Sequence, residues 1–189
     1  INKFKNENFL SGSNIVNLSF VIKLSKILKV KKINLIDVVK KFKGLNYRQQ
    51  IIYKNKDFLI INDSKSTSYS SSIEILKNNN NIYWLIGGIY KKGDKLNLSK
   101  KYFDNIEAFV YGKNKKFFNT ILKGKIKFKN FSNLQKALKN IFIIIKKQKF
   151  KKKIILFSPS AASFDSFKNF EERGFYFNKL IKKYHNGIQ

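Results

Sequence analysis

The sequence predicts a doubly wound α/β domain with a mostly parallel sheet, because of where its apolar residues fall. Four short runs are apolar almost throughout, as expected of strands buried on both faces of a sheet. The runs alternate with stretches of helical periodicity, and each ends at a turn or a loop of small and polar residues. The four predicted strands lie at residues 57–62, 82–86, 108–111 and 154–157. This alternation is typical of a parallel sheet that is covered by helices on both faces.

The beginning of the chain predicts helices rather than strands. A helix is expected over residues 14–29, where apolar and small residues recur at spacings of three and four. The predicted inner face of this helix consists of Ile15, Leu18, Ile22, Ser25 and Leu28. A second helix is expected over residues 34–42, with Asn34 as its N-cap.

Gly44 marks a predicted domain boundary, because Gly commonly follows the end of a helix and the pattern changes there to strand–loop–helix alternation. Residues 1–43 are expected to be the tail of one domain, and residues 44–189 to form another. The chain has 189 residues and contains no Met. A complete translated chain normally begins with Met, so this chain is expected to be a piece of a longer protein.

Three further helices are predicted between and after the strands. The first covers about residues 70–78. The second covers residues 132–147, with Ser132 as its N-cap; its inner face is formed by Leu134, Leu138, Ile141 and Ile145. The last covers residues 166–184. Its predicted inner face consists of Phe167, Phe170, Gly174, Phe177, Ile181 and Tyr184.

Composition excludes several classes of protein. The chain has no Cys, so it has neither disulfide bonds nor a Cys-based zinc site. No apolar run approaches the roughly 20 residues of a membrane-spanning helix, and the first residues lack a signal-peptide pattern, which predicts a cytoplasmic location. The single His, His185, lies near the end of the chain and is expected to be solvated.

The formal net charge of +29 suggests a nucleic-acid-binding protein. However, only two of the forty basic residues are Arg, which is the residue that specific recognition of bases and phosphates favours. The Lys residues are spread along the chain, and the other enriched residues share AT-rich codons. We therefore predict no specific nucleic-acid partner. A Lys-rich nucleic-acid-binding module remains the alternative, and binding that survives physiological salt would favour it.

Ligands of doubly wound folds bind beyond the carboxyl ends of the strands, so the loops after the predicted strands are candidate sites. Asn62–Thr67 places an ammonium, a carboxylate and hydroxyl groups on one short turn. Lys65 could neutralise a phosphate, and the hydroxyls of Ser64 and Thr67 could bind anions. The alternative is a capped turn, in which Asn, Asp and Ser are common.

Two further loops have the same character. In Gly87–Asp94, paired glycines let the backbone approach a ligand closely and Lys91 is available for an anion, although a solvated loop is the alternative. In Ser158–Gly174, small residues lead into a helix, whose first amides can bind an anion, and Ser163 could bind a carboxylate. The helical spacing of Phe167 and Phe170 is also compatible with a place in the core.

Four segments together resemble the Mur ligase family, in its D-glutamate-adding members. Residues 62–67 resemble the motif Asn-Asp-Ser-Lys-Ala-Thr, and residues 158–174 resemble Ser-Pro-Ala-Cys-Ala-Ser followed by Phe-Lys-Asn-Phe-Glu-Arg/Glu-Arg-Gly. Residues 42–48 resemble Phe-x-Gly-Leu-Pro-His-Arg, and residues 10–17 resemble Leu-x-Gly-x-His-Asn-x-x-Asn. The Gly87–Asp94 loop is the third of the three loops that together bring this resemblance into view. The segments occur in family order over nearly the whole chain.

The resemblance implies an ATP-dependent ligase of peptidoglycan precursor synthesis, which adds D-glutamate to UDP-N-acetylmuramoyl-L-alanine through an acyl phosphate. It implies that Lys65 and Thr67 are catalytic and lie near the phosphates. The residues implied in D-glutamate binding are Thr67, Lys91, Ser163 and Phe170. The residues implied in binding or positioning ATP are Asn14, Asn17, Arg48, Asp63 and Lys65.

The resemblance also implies how the chain fits into a longer enzyme. Residues 1–43 would end the central ATP-binding domain, and residues 44–189 would form the carboxyl-terminal D-glutamate-binding domain. The phosphate loop, the Mg²⁺ ligands and the uridine-nucleotide domain would precede Ile1, so the chain is expected to hold no metal and to be inactive alone. A monomer without a membrane span is expected. An inactive ligase remnant is the remaining alternative.

Overall fold

The structure is a computed structural model that describes residue 6 and residues 12–147 and 152–185, without the side chains of residues 12, 13 and 185. The expectation for the side chain of His185 therefore lies outside the described residues, and so do Leu10 and Ser11 of the first motif. The chain divides into two compact units, Ile1–Gly44 and Leu45–Gln189, which are described one at a time.

The first unit contains two helices, α1 (Gly12–Ile27) and α2 (Lys32–Lys41). The predicted inner face of α1 is confirmed for Leu18, which is buried, and for Ile15, Ile22 and Ser25, which are partly buried. Leu28 does not belong to that face: it follows the end of the helix and is exposed.

The prediction that Asn34 caps the second helix is wrong. The helix begins at Lys32, its N-cap is Lys31 without a capping side chain, and Asn34 lies within the first turn. Lys is a good helix former, so Lys32 continues the helix towards its N-terminus without a polar cap. Asn6 also belongs to this unit, and its side-chain amide donates to the carbonyls of Val39 and Phe42 at 2.7 Å each.

The second unit is built on a six-stranded sheet. In chain order the strands are β1 (Gln50–Lys54), β2 (Phe58–Asn62), β3 (Ile82–Ile86), β4 (Ile106–Tyr111), β5 (Lys127–Phe131) and β6 (Lys153–Phe157). Their order in the sheet is β1-β2-β6-β3-β4-β5, and all neighbours are parallel except β1 and β2. The predicted doubly wound, mostly parallel sheet is confirmed, and the four predicted strands are present. The two edge strands were not predicted.

Helices cover both faces of this sheet. They are α3 (Tyr69–Lys77), α4 (Lys115–Leu122), α5 (Leu134–Lys147) and α6 (Phe170–His185), with a short 3₁₀ helix at Lys100–Asn105. Successive strand residues point to opposite faces, so Trp84 packs with α3 and α4 and Leu85 packs with α5 and α6. Among the described helices, none combines the length and the apolarity needed to cross a membrane.

Two predicted helix starts are corrected by the structure. α5 begins at Leu134, and the side-chain oxygen of Asn133, rather than that of Ser132, accepts a hydrogen bond from the amide of Lys136 at 2.9 Å. α6 begins at Phe170, not at residue 166, because residues 164–169 form turns and bends and Asn169 Oδ1 caps the amide of Glu172 at 2.8 Å. Phe167 therefore precedes the helix.

Candidate functional site

The three candidate loops lie at the carboxyl ends of β2, β6 and β3, which are adjacent strands of the sheet. We call them the 62–67 loop, the 158–169 loop and the 87–94 loop. Because parallel strands end at the same edge, the sheet order alone places the loops next to one another. Hydrogen bonds join the 158–169 loop to each of the other two loops, and the 87–94 loop to the start of the helix that follows the 62–67 loop.

The 158–169 loop is bonded to both of the others. Ser158 Oγ donates to Asp63 Oδ2 in the 62–67 loop at 2.8 Å. On its other side, Ala162 and Ile89 exchange two backbone hydrogen bonds of 2.9 Å each with the 87–94 loop. Gly88 permits this approach: its φ is +129°, and a Cβ there would collide with the carbonyl of Ala162.

A third contact joins the first helix after β2 to the 87–94 loop. Asp94 Oδ2 accepts a hydrogen bond of 2.6 Å from the backbone amide of Tyr69, at the start of α3. This carboxylate therefore caps the helix that immediately follows Thr67. The same loop is anchored by Tyr90, whose ring stacks on that of Phe117 at a centroid distance of 3.5 Å. Lys91 thus extends from a loop that is held on both sides.

Asp63 is a buried carboxylate at the centre of these contacts, with 4% of its surface exposed. Its Oδ1 accepts a hydrogen bond from the amide of Gln49 at 3.1 Å, and its Oδ2 accepts from Ser158. Burial raises the pKa of the Asp63 carboxyl to about 7, although these hydrogen bonds and the charges of Arg48 and Arg173 oppose the rise. Both oxygens are directed into the protein, which suits a residue that positions its neighbours.

Arg173 on α6 contacts the site from its buried side. It was not predicted as a functional residue. Only 1% of its surface is exposed. Its guanidinium donates through Nε to Ser64 Oγ at 3.1 Å and through Nη2 to the Ser64 carbonyl at 2.8 Å. Its Nη1 lies beside Gly88, so the side chain reaches two of the loops. Burial lowers the pKa of this guanidinium, against the opposing effect of nearby Tyr111 and Asp165. The one feature of the sequence that could have drawn attention to Arg173 is that Arg is rare in this Lys-rich chain.

The residues predicted to meet a ligand differ in exposure. Lys65, Thr67, Lys91 and Arg48 are exposed, Phe170 is half-buried and Ser163 is buried. The Lys65 ammonium lies 3.7 Å from the centre of the Phe170 ring, which is a cation–π contact. The loops and the turn that carries Arg48 thus present three ammonium or guanidinium groups and a hydroxyl to solvent.

Arg48 lies on a turn that is fixed against the 62–67 loop. The amide of Lys65 donates to the carbonyl of Tyr47 at 2.9 Å. The Tyr47 ring packs on Gly174 of α6 so closely that a Cβ at position 174 would collide with it. Tyr47 and Gln49, on either side of Arg48, have φ values of +60° and +48°, which L-residues adopt rarely. This close packing offsets the strain of the turn.

The other two predicted nucleotide contacts, Asn14 and Asn17, belong to the first unit. They lie about one turn apart on α1, and this spacing makes their side chains neighbours on the helix surface. Asn14 is half-buried and Asn17 is exposed.

Within the part of the chain that the structure describes, no three His, Cys, Asp or Glu side chains converge as ligands of a metal ion.

No family model matches the chain, but individual relatives do. It is 36% identical over 149 residues to a UDP-N-acetylmuramoylalanine–D-glutamate ligase of Wolbachia from Brugia malayi, which covers 79% of this chain and 30% of the relative. It is 37% identical over 151 residues to the protein of the same name from Rickettsia prowazekii, covering 79% of this chain and 34% of the relative. The chain therefore spans about a third of the length of the curated relatives it matches, and it corresponds to their carboxyl-terminal part.

Two solved structures share the fold. MurF from Acinetobacter baumannii matches with a TM-score of 0.65 and 18% identity, over 91% of this chain and 38% of that one. The UDP-N-acetylmuramate–alanine ligase MurC from Thermotoga maritima matches with a TM-score of 0.60 and 16% identity, over 94% and 39% of the two chains. At such low identity these matches bear on the fold alone.

Proposed function

This chain belongs to the Mur ligase family, and from that premise we propose that it is the carboxyl-terminal part of an ATP-dependent ligase that adds D-glutamate to UDP-N-acetylmuramoyl-L-alanine. The observation that carries the proposal is the meeting of three loops at one edge of the sheet, with exposed cations, the exposed hydroxyl of Thr67 and the buried hydroxyl of Ser163. D-glutamate has two carboxylates, and such groups bind them. Residues 44–189 would form the D-glutamate-binding domain, and residues 1–43 would end the central domain.

Lys91 and Ser163 are proposed to bind the carboxylates of D-glutamate. The bridge between Ile89 and Ala162 sets the distance between their two loops, since each residue lies within two positions of it. Lys91 is exposed and supplies a full charge, whereas Ser163 is buried and supplies a hydroxyl with little freedom to move. Thr67 and Phe170 would complete the pocket from the 62–67 loop and the start of α6.

Lys65 and Thr67 are proposed to act on the reacting groups. In the reaction, the alanyl carboxylate receives the γ-phosphoryl group of ATP, the amine of D-glutamate attacks the acyl carbon, and phosphate leaves. Negative charge develops on the acyl and phosphoryl oxygens. An ammonium and a hydroxyl held in place at those oxygens stabilise it. The Lys65 ammonium is held over the Phe170 ring, which limits the positions it can take.

Arg48 and Lys65 are proposed to meet the phosphates of ATP. Asn14 and Asn17 are proposed, separately, as nucleotide contacts of the first unit. The two cations fit this role because they are exposed and the backbone joins their segments. Asp63 is proposed to position that region rather than touch ATP, since its oxygens accept hydrogen bonds from within the protein. Mg²⁺ would be held by other parts of the longer protein. We propose that this protein works in the cytoplasm as a monomer.

The decisive experiment uses a longer protein that carries this chain together with the preceding domains. Lys91→Ala and Ser163→Ala are each expected to raise the KM for D-glutamate about tenfold or more, because each removes a hydrogen bond to a charged group. The KM for ATP should change little. Lys92→Ala is the matched control, since Lys92 is the adjacent exposed Lys. An unchanged KM for D-glutamate in both variants would remove Lys91 and Ser163 from the site.

A second experiment tests the division of the enzyme into parts. The 189-residue chain alone is expected to form no amide product from D-glutamate, ATP and UDP-N-acetylmuramoyl-L-alanine. The longer protein is expected to form the product and to release phosphate in equal amount. Failure of the longer protein to form the amide would contradict the proposed function.

A further inference from the structure

Four buried serines form a connected group behind the loops, beside the side chains proposed to bind ligands. They are Ser66 in the 62–67 loop, Ser72 in α3, and Ser158 and Ser160 in the 158–169 loop. None has more than 2% of its surface exposed. We call this group the hydroxyl chain, because each member lies within hydrogen-bonding distance of another.

Ser72 is the branch point of the hydroxyl chain. Its Oγ lies 2.6 Å from Ser158 Oγ, 2.6 Å from Ser160 Oγ and 2.8 Å from Ser66 Oγ. A hydroxyl group has one hydrogen to donate and two lone pairs to accept with. Three hydroxyl partners therefore use the full hydrogen-bonding capacity of Ser72, and it joins α3 to both loops at once.

The direction of these hydrogen bonds follows from Asp63. Ser158 Oγ donates its hydrogen to Asp63 Oδ2, so it can only accept from Ser72. Ser72 therefore donates to Ser158 and accepts from Ser66 at 2.8 Å and Ser160 at 2.6 Å. These contacts are shorter than those of the same two hydroxyl groups to the carbonyls of Ser68 at 3.4 Å and Ser158 at 3.3 Å. Every hydrogen in the chain then points towards the buried carboxylate, and each bond polarises the next one.

We propose that Ser72 is a positioning residue, whose hydroxyl holds Asp63 and the two loops that carry Lys65 and Ser163 in one fixed arrangement. Ser66 lies between the two residues proposed to be catalytic. Ser160 has a φ of +55°, a backbone conformation that is unfavourable for Ser, and its hydrogen bond to Ser72 helps to hold it there. The link to catalysis rests on the proposed function, whereas the contacts and the tests below do not.

The proposed positioning role and a purely structural role of Ser72 predict different effects of Ser72→Ala on the pKa of Asp63. If Ser72 only fills space, its replacement by Ala should leave the ionisation of Asp63 unchanged. If the hydroxyl chain stabilises the carboxylate, losing Ser72 should weaken the hydrogen bond from Ser158 and raise the pKa of Asp63 further. The charged groups around Asp63, namely Arg48 before β1 and Arg173 on α6, are unaltered by this change.

The chain contains a natural reporter for the ionisation of Asp63. Trp84 is the only Trp, and its indole Nε1 donates to the carbonyl of Ser158 at 2.7 Å. In the 189-residue chain, the fluorescence of Trp84 is expected to titrate near pH 7, the pKa of Asp63. Asp63→Asn should abolish this transition, which assigns it to the Asp63 carboxyl.

Ser72→Ala is expected to move the midpoint of the Trp84 titration upward by about 0.5 pH unit or more. Ser66→Ala removes one donor to Ser72 and is expected to give a smaller shift in the same direction. It is the variant to use if Ser72→Ala does not fold. Ala is the residue that the family motif has at position 66. Ser70→Ala is the matched control, since Ser70 is an exposed serine of the same helix. It should leave the midpoint unchanged.

Amide hydrogen exchange tests the positioning of the loops in the same variants. Segments 62–67 and 158–163 are expected to exchange faster in Ser72→Ala than in Ser70→Ala, while the strands behind them exchange at equal rates. The proposal is overturned if Ser72→Ala and Ser66→Ala both keep the wild-type midpoint, or if the Trp84 transition survives Asp63→Asn. Unchanged exchange of both segments in Ser72→Ala overturns the positioning of the loops.

Discussion

The candidate site has two layers that differ in burial, and, with the exception of the buried Ser163, the difference separates groups that set geometry from groups proposed to meet ligands. The inner layer comprises Asp63, Ser64, Ser158 and Arg173, all buried and hydrogen-bonded to one another or to the adjoining backbone. The outer layer comprises Arg48, Lys65, Thr67 and Lys91, all exposed. A buried charge is stable only with its partners in place, whereas an exposed charge keeps its hydration.

The chain offers a direct test of the two layers, because it has two Arg residues and one lies in each. Arg173→Met is expected to lower the free energy of unfolding by about 5 kcal/mol, since it leaves Ser64 and nearby carboxylates without a buried partner. Arg48→Met should cost less than about 1 kcal/mol, because its side chain is exposed. Urea unfolding of the 189-residue chain measures both. Equal losses would contradict the division into layers.

The pH dependence of stability tests the inner layer through Asp63. Its carboxyl titrates at about 7 in the folded chain, against an ordinary value of 3.8. Between these values the folded state binds more protons than the unfolded state, so the Asp63 contribution to stability falls as pH rises. The expected loss is about 3 kcal/mol from pH 4 to pH 7.

Asp63→Asn isolates this contribution from those of the other titrating groups. Asn does not ionise and keeps an oxygen that can accept from Ser158. The free energy of unfolding of wild type minus that of Asp63→Asn should therefore decrease steadily between pH 4 and pH 7. A difference that stays constant over this range would show that Asp63 does not titrate there.

Gly174 connects the layers, because it allows Tyr47, the neighbour of Arg48, to pack on α6. In an exposed helix interior, Gly→Ala would stabilise by up to about 1 kcal/mol. Here the opposite sign is expected: Gly174→Ala should destabilise by about 2 kcal/mol, because its Cβ collides with the Tyr47 ring. In a Tyr47→Ala background the same substitution should be neutral or stabilising. Urea unfolding of the four proteins measures the coupling, and a stabilising effect in both backgrounds would contradict it.

The sequence predicted the central part of the sheet better than its edges, for a physical reason. Strands 82–86 and 154–157 are buried on both faces, so their residues are apolar without interruption. The edge strands Gln50–Lys54 and Lys127–Phe131 are partly solvated and carry polar residues, which leaves little periodic signal. Helix α4 was not predicted, because its eight residues are too few to show a clear helical periodicity.

The outer layer of the site was accessible from the sequence, whereas the hydrogen-bond partners of the inner layer were not. Lys65, Thr67 and Lys91 follow predicted strands and lie in motifs, so strand ends and resemblance locate them. Arg173 bonds to a serine that is 109 residues away. Ser72 meets Ser158 across 86 residues. Such partners are set by tertiary packing, and no local pattern encodes them.

The smallest expected effect is the coupling energy between Lys65, in the outer layer, and the Phe170 ring that it contacts. Lys65 lies over the Phe170 ring, so a double-mutant cycle with Lys65→Met and Phe170→Leu should give a coupling energy of about 0.5 kcal/mol. The value is small because the ammonium remains exposed to water. Lys168→Met paired with Phe170→Leu is the control, since Lys168 is also exposed and close in sequence. If the Lys65 pair couples no more strongly than this control pair, the ring does not hold the ammonium. Coupling confined to Lys65 would mean that the outer layer, too, takes its geometry from a neighbouring side chain.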